Sequence, residues 1–166
     1  DGAQYEVVVY EGYGVGGVAV IVETTTDNRN RTAADIRHYF DKCGGNMGTT
    51  GCVSFMFADK GVIVVDGKSV ADEDRFMEDV MECGAIDFTG DDGIFEVFTD
   101  PSELSGVRDA LAAKGYVFLS AEPEKIPNTY VRLDDEEQRA KMSKLLGLLE
   151  DNDDVQNVWH NWEDDE

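Results

Sequence analysis

The sequence predicts a mixed α/β protein of the α+β kind, built as two small α/β sandwiches with one inserted into the other. Three observations carry this. Short Val-rich runs of alternating pattern give way repeatedly to apolar residues at helical spacing, so strands and helices interleave. Between Lys60 and Ile126 the order strand, helix, strand, strand, helix, strand runs without interruption. The flanking portions read ββαβ and αβ; the first lacks one helix and one strand of a balanced layer, and the second supplies them. The predicted boundaries are therefore residues 1–58 with 127–166 for a discontinuous domain and 59–126 for the insert.

Tyr5 to Tyr10 and Val18 to Val22 are β-branched runs joined by glycines, the pattern of a hairpin. Thr24 to Asn28 supplies turn and cap residues. From Thr32, with Asp35 three residues on as a weak capping box, Ile36, Tyr39, Phe40 and Cys43 recur at helical spacing until Gly44-Gly45 ends the helix. Gly48 to Gly51 is a turn, and Cys52 to Phe57 reads as a third strand. In the insert, strands are expected at Val62 to Val65, Ile86 to Thr89 and Ile94 to Thr99. Its helices run from about Asp72 to Cys83, ended by Gly84, and from Pro101 to Gly115, with Leu104, Val107 and Leu111 turned inward. With a last strand this is the ferredoxin-like order βαββαβ. Beyond Pro123 and Pro127 a helix from Asp134 carries Met142, Leu145, Leu146 and Leu149 on one face, and Val155 to Trp159 closes the chain as a strand.

Charge narrows the function classes. Asp and Glu number 36 against 14 Lys and Arg, a net charge of −22, so a broad embrace of nucleic acid by this chain is excluded and any phosphate contact must be local. The acidic runs Glu150 to Asp154 and Glu163 to Glu166 read as solvated surface, with protein partners a further use of that surface. Three cysteines without CxxC spacing argue against a disulfide framework or structural zinc and fit a reducing compartment, where they serve as small buried hydrophobes. No apolar run approaches the length of a membrane span and no leader pattern is present, so a cytoplasmic location without membrane contact is expected. The absence of Met at Asp1 suggests a processed product or a fragment.

Against this acidic background Arg29, Arg31, Arg37, His38 and Lys42 gather in one short stretch. The segment Asp27-Asn28-Arg29-Asn30-Arg31-Thr32 lies where a helix begins, so free backbone N–H groups, the helix dipole and two guanidiniums would converge on one phosphate-attracting corner, extended by Arg37, His38 and Lys42. The competing reading has Asp27 capping the helix and the arginines paired with nearby carboxylates. Gly12-Tyr13-Gly14-Val15-Gly16-Gly17 satisfies GxGxxG, but a strand follows it where a dinucleotide site needs a helix. A hairpin requiring positive φ accounts for it, or a loop kept small so that a large partner's backbone can approach, with Tyr13 as a stacking surface. The candidate nucleic-acid-binding set is thus Tyr13, Gly14, Gly16, Gly17, Asn28, Arg29, Arg31, Arg37, His38 and Lys42. His38 and His160 show no metal-ligand spacing, and no nucleophile or P-loop motif occurs, so neither metal, cofactor nor catalytic residue is expected.

At these residues the sequence resembles the YebC/PmpR family, whose mitochondrial members are translational activators of cytochrome oxidase synthesis. The matching segments are Tyr10 to Gly14, Gly16-Gly17, Asp27 to Thr32, and His38 through Lys42-Cys43-Gly44-Gly45-Asn46 to Gly48. The similarity continues through Asp91-Asp92-Gly93, Ile126-Pro127, Asp153 to Gln156 and His160-Asn161, and so covers practically the whole chain. Val15 stands where the family usually carries proline. The resemblance implies a Lys- and Arg-rich helical domain preceding two α/β domains, one inserted in the other, and that this chain lacks the basic domain. It also implies a role in gene expression, as a translation factor on ribosomes or as a DNA-binding transcriptional regulator. The expectation is a monomeric, non-enzymatic regulator that contacts ribosomal RNA or DNA in the cytoplasm, or in the mitochondrial matrix if the source is eukaryotic. Translation is favoured, because a small basic corner on an acidic body suits the ribosome, whereas a duplex reader should show a recognition helix with several base-reading side chains. A protein-interaction module is the competing class.

Overall fold

The computed structural model describes residues 4–163, and the side chain of Asp91 is left out; the last three residues of the Glu163 to Glu166 acidic run lie outside this range. The chain forms two compact units, which divide at Ala58/Asp59 and again at Ile126/Pro127. The architecture is the mixed α/β one expected, with two antiparallel four-stranded sheets and four α-helices among the described residues.

In the discontinuous unit the strands are β1 (Glu6–Tyr13), β2 (Ala19–Thr26), β3 (Asn46–Met47) and β8 (Val155–His160), in the order β3-β1-β2-β8. The run from Val18 to Val22 is buried throughout because β2 is central and covered on both faces. Val18, Val20 and Val22 pack with Ile36 and Phe40 of α1 (Arg29–Lys42) and with Met142, Leu145 and Leu149 of α4 (Glu136–Asp151). Ala19 and Ile21 meet Val53 and Phe57 on the opposite face. The helix and strand that follow residue 127 complete this layer: β8 pairs along β2, and α4 packs beside α1.

Two local expectations are corrected. The segment Cys52 to Phe57 is not the third strand; it holds a 3-10 turn at Ser54–Met56, and the two-residue β3 pairs instead with Gly12 and Tyr13. The cause is Glu11, 5% exposed, whose carboxylate accepts hydrogen bonds from the backbone N–H groups of Gly51 (2.9 Å), Val53 (3.0 Å) and Ser54 (2.8 Å). Donors so engaged cannot enter a ladder. Helix α1 likewise begins at Arg29 rather than near Thr32, because Asn28 accepts from Arg31 N (3.1 Å) as the cap. Neither the Thr32 box nor Asp27 fills that role.

The inserted unit is built from β4 (Phe57–Asp66, whose first two residues belong to the other unit), α2 (Glu73–Glu82), β5 (Asp87–Asp91), β6 (Ile94–Thr99), α3 (Leu104–Ala113) and β7 (Phe118–Pro127, whose last residue does too). Its sheet order, β5-β6-β4-β7, is the ferredoxin-like one predicted. Asp72 caps α2 by accepting from Asp74 N and Arg75 N, and Gly84 and Gly115 take positive φ after the two helices, as their positions in the sequence suggested. Asp92 (φ 54°) and Gly93 (φ 76°) form the two-residue turn between β5 and β6, where paired positive φ values match the twist of a hairpin. Phe76 is the centre of the core, with the rings of Phe95 and Tyr116 at 4.8 and 5.0 Å and that of Phe88 at 5.9 Å.

Candidate nucleic-acid interface

The glycine segment joins β1 to β2, as the pattern predicted. Gly14 N donates to Val18 O (2.7 Å), closing the turn, and Gly16 and Gly17 adopt φ of 72° and 84°. Gly14 is buried against α4: a Cβ there would lie 2.7 Å from Met142 Sδ. Gly16 and Gly17 are exposed, and nothing lies within 4 Å of a Cβ built on Gly17. Tyr13 is half-buried and packs against the cluster of Ala19, Ile21, Val53 and Phe57, so its ring is engaged in the fold.

The expected convergence of Arg29 and Arg31 on one corner does not occur. Arg29 reaches Glu6 at the start of β1 (3.5 Å), while Arg31 reaches Asp154 (3.1 Å) and Asp27 (3.5 Å) on the β8 side. Residues two apart on a helix project about 200° from one another, and here each finds a carboxylate on a different flank of β2. The carboxylate-pairing alternative therefore describes both arginines. Asp154 is a hub: its carboxylate accepts from the Thr32 hydroxyl (2.8 Å) as well as from Arg31, and its carbonyl accepts from Thr25 N (2.9 Å). The Thr32 bond, followed by Arg31, holds the Asp154 carboxyl below its ordinary range, and the same carboxylate raises the Arg31 guanidinium.

Arg37, His38 and Lys42 are exposed on α1 and form no ion pair among the described residues. The fourteen residues of α1 cover about 21 Å, and the helix runs back along β2 from the Arg29 end to the glycine end. The candidate set thus divides. Asn28, Arg29 and Arg31 lie at one end of the unit, Lys42 lies beside the glycine turn at the other, and Arg37 and His38 lie between.

Two lysines missed by the sequence argument stand at the glycine end. Lys141 of α4 comes within 3.5 Å of the position a Cβ on Gly44 would take, and Lys144 together with Lys42 acts on the Cys43 thiol, opposing the upward push of burial. The signal available was the helical period: with Met142 and Leu145 turned inward, Lys141 and Lys144 fall on the outer face.

The fold and this site define a class of α/β scaffold whose glycine-turned, discontinuous unit carries a second, ferredoxin-like unit within its chain. The chain belongs to the TACO1/YebC family: the model described as the TACO1/YebC second and third domain matches residues 5–162. A protein of Caldicellulosiruptor bescii is 56% identical over 166 residues, all of this chain and 68% of its own length. One of Acetivibrio thermocellus is 56% identical over 162 residues, 98% of this chain and 67% of its own. Both carry the name probable transcriptional regulatory protein. The crystal structure of a conserved hypothetical protein from Aquifex aeolicus superposes with a TM-score of 0.88 at 45% identity, covering 98% of this chain and 67% of that one. The chain therefore spans about two thirds of the length of the relatives it matches.

Proposed function

We propose that this chain is part of a non-enzymatic regulator of gene expression that works by local contact with nucleic acid, with ribosomal RNA favoured over duplex DNA. The observation that carries this reading is that Arg37, His38 and Lys42 are exposed on α1 and unpaired among the described residues, in a chain of net charge −22. The family's regulatory naming supports the general class. An acidic body repels a free duplex over a Debye length of about 8 Å at physiological salt. On a ribosome the same acidity can face basic proteins while a small cationic surface meets RNA. Asp35 and Asp41 also interrupt the outer surface of α1, which makes it a poor reader of successive base edges. The second reading, a DNA-binding transcriptional regulator, is favoured by the name the relatives share.

Binding of this chain to purified ribosomes and to duplex DNA, at low and at near-physiological salt, tests the proposal. Retention on ribosomes at physiological salt, lost when Arg37 and Lys42 are both changed to Ala, is the expected result. Salt-labile binding to duplex alone would favour the transcriptional reading, and binding to neither would remove the nucleic-acid role from this part of the protein.

A further inference from the structure

We infer that Lys141 and Lys144 of α4 join Lys42 of α1 to form a phosphate-binding cradle over the two glycine turns, and that an RNA backbone seats there. The inference deepens the reading above and rests on it, but it moves the centre of the contact to residues about a hundred positions from Lys42 in the chain.

The floor of the cradle is backbone. A Cβ on Gly12 would lie 2.7 Å from Asn46 O, and one on Gly45 would strike Tyr13 O and come within 2.9 Å of Gly14 Cα. The turn after β1 and the turn after α1 are therefore stacked chain on chain, leaving no room for side chains between them. Gly45 N donates to Phe40 O (2.8 Å) and Gly48 N to Glu11 O (2.8 Å), so both segments are fixed. Gly16, Gly17 and Gly44 are exposed on this floor, all with positive φ, and present main chain to an approaching partner.

The walls are cationic. Lys141 lies along Gly44, while Lys42 and Lys144 come close enough to Cys43 to act on its thiol. Three lysines from two packed helices thus lie near one segment, Cys43-Gly44. Lys42 and Lys144 have no ion pair among the described residues, and Lys141 has only an exposed contact with Glu137 at 3.7 Å, of the kind that contributes little. By contrast Arg29, Arg31, Arg108, Lys114, Lys125 and Arg132 each have a carboxylate within 3.7 Å. Lys42 and Lys144 are thus among the cations that this acidic chain leaves without a carboxylate partner in the described residues. Ammonium groups on flexible stems suit phosphate as point charges, and a floor without side chains lets a continuous backbone approach closely.

The test is binding of a labelled single-stranded oligouridylate and of purified ribosomes to the wild-type chain, to Lys141→Gln/Lys144→Gln and to Lys68→Gln. Lys68 is an exposed lysine of the inserted unit and controls for net charge. Melting temperatures confirm that the variants are folded. The double variant is expected to weaken binding at least ~10-fold and to reduce the slope of log affinity against log salt by about 1.4, since each lost single-strand phosphate contact removes about 0.7. Lys68→Gln should bind like wild type. Wild-type binding that the double variant retains unchanged overturns the cradle and leaves the proposed function standing; a wild-type chain that binds neither probe overturns both. Displacement by polyglutamate as effective as that by oligouridylate overturns the RNA assignment in favour of an acidic peptide.

Discussion

The two units solve the same problem, covering a four-stranded antiparallel sheet with two helices, by different means. The inserted unit is continuous in sequence and organised by a ring cluster, with Phe76 touching Phe88, Phe95 and Tyr116. The discontinuous unit is sewn together by polar groups that act over long sequence distances. Asn161 accepts from Ala19 N (2.8 Å) through its side chain and donates to Ala19 O (3.1 Å) through its backbone. Asp154 ties β8 to α1, and Glu11 ties β1 to residues 51–54. Apolar clustering suffices when the chain closes on itself locally. A domain finished by a segment more than a hundred residues away relies on directional bonds to fix which strand pairs with which, because hydrophobic burial is not directional.

That contrast can be broken most forcefully at Phe76. Phe76→Ala should cost about 3–5 kcal/mol, and hydrogen exchange should show the loss concentrated in α2, β5 and β6. Unfolding of β1 and β2 in the same cooperative step would show that the two units are not independent in stability. Next in size is Glu11→Ala, which strands three backbone donors and should cost about 3 kcal/mol, with amide protection lost at Gly51, Val53 and Ser54. Retention of that protection would mean the turn holds itself.

Asp154 gives a smaller, pH-dependent effect. Its carboxyl is held below the ordinary range chiefly by Thr32 and then by Arg31, so the folded state prefers the ionised form. The associated stability is fully present above the unfolded carboxylate's titration, near about pH 4, and is lost as pH falls through the lowered native value. Asp154→Asn should cost about 1–2 kcal/mol at neutral pH and flatten the acid limb of a urea-denaturation series. Arg29→Ala, which breaks only an exposed pair, should change stability by less than about 0.5 kcal/mol. An equal loss for the two would contradict the hub assigned to Asp154.

A further modest effect lies in the inserted unit at high pH. The Tyr116 hydroxyl donates to Asp79 (2.6 Å), and burial followed by that carboxylate pushes its pKa up to about 12. The proton is held more tightly in the folded state, so the contribution is complete below the unfolded phenol's titration, near about pH 10, and disappears as pH rises toward the native value. Tyr116→Phe should cost about 1 kcal/mol at neutral pH and remove this alkaline dependence, read by absorbance titration and by melting across the range.

The same contrast marks what the sequence made legible. The insert was readable almost element by element, because its periodicities, caps and stop glycines are local and its core needs no distant partner. The missing helix and strand of the first unit were also recognisable from α4 and β8, since an unfinished layer requires them. Cys52 to Phe57 was misread because its β-like composition competes with a carboxylate forty residues earlier, and no local pattern records a buried Glu collecting three N–H groups. The basic stretch misled in the opposite sense: four Arg and Lys residues and a histidine, close in sequence, are spread along a helix and turned to different flanks. Lys42 and Lys141, far apart in sequence, are brought to the same glycine turn because α1 and α4 pack side by side.

The central position of β2 also sets a problem of timing. Its ladder toward β8 cannot form until residues beyond 154 have left the ribosome, more than a hundred residues after β2 itself. At about 5–20 residues per second, a buried-type strand waits for roughly 7–30 s with one edge open, while the intervening insert has everything it needs to fold. For that interval the nascent chain carries an adhesive Val-rich border. Shortening the wait, by circular permutation that brings β8 before β1, would be expected to improve recovery of folded protein without altering a single native contact.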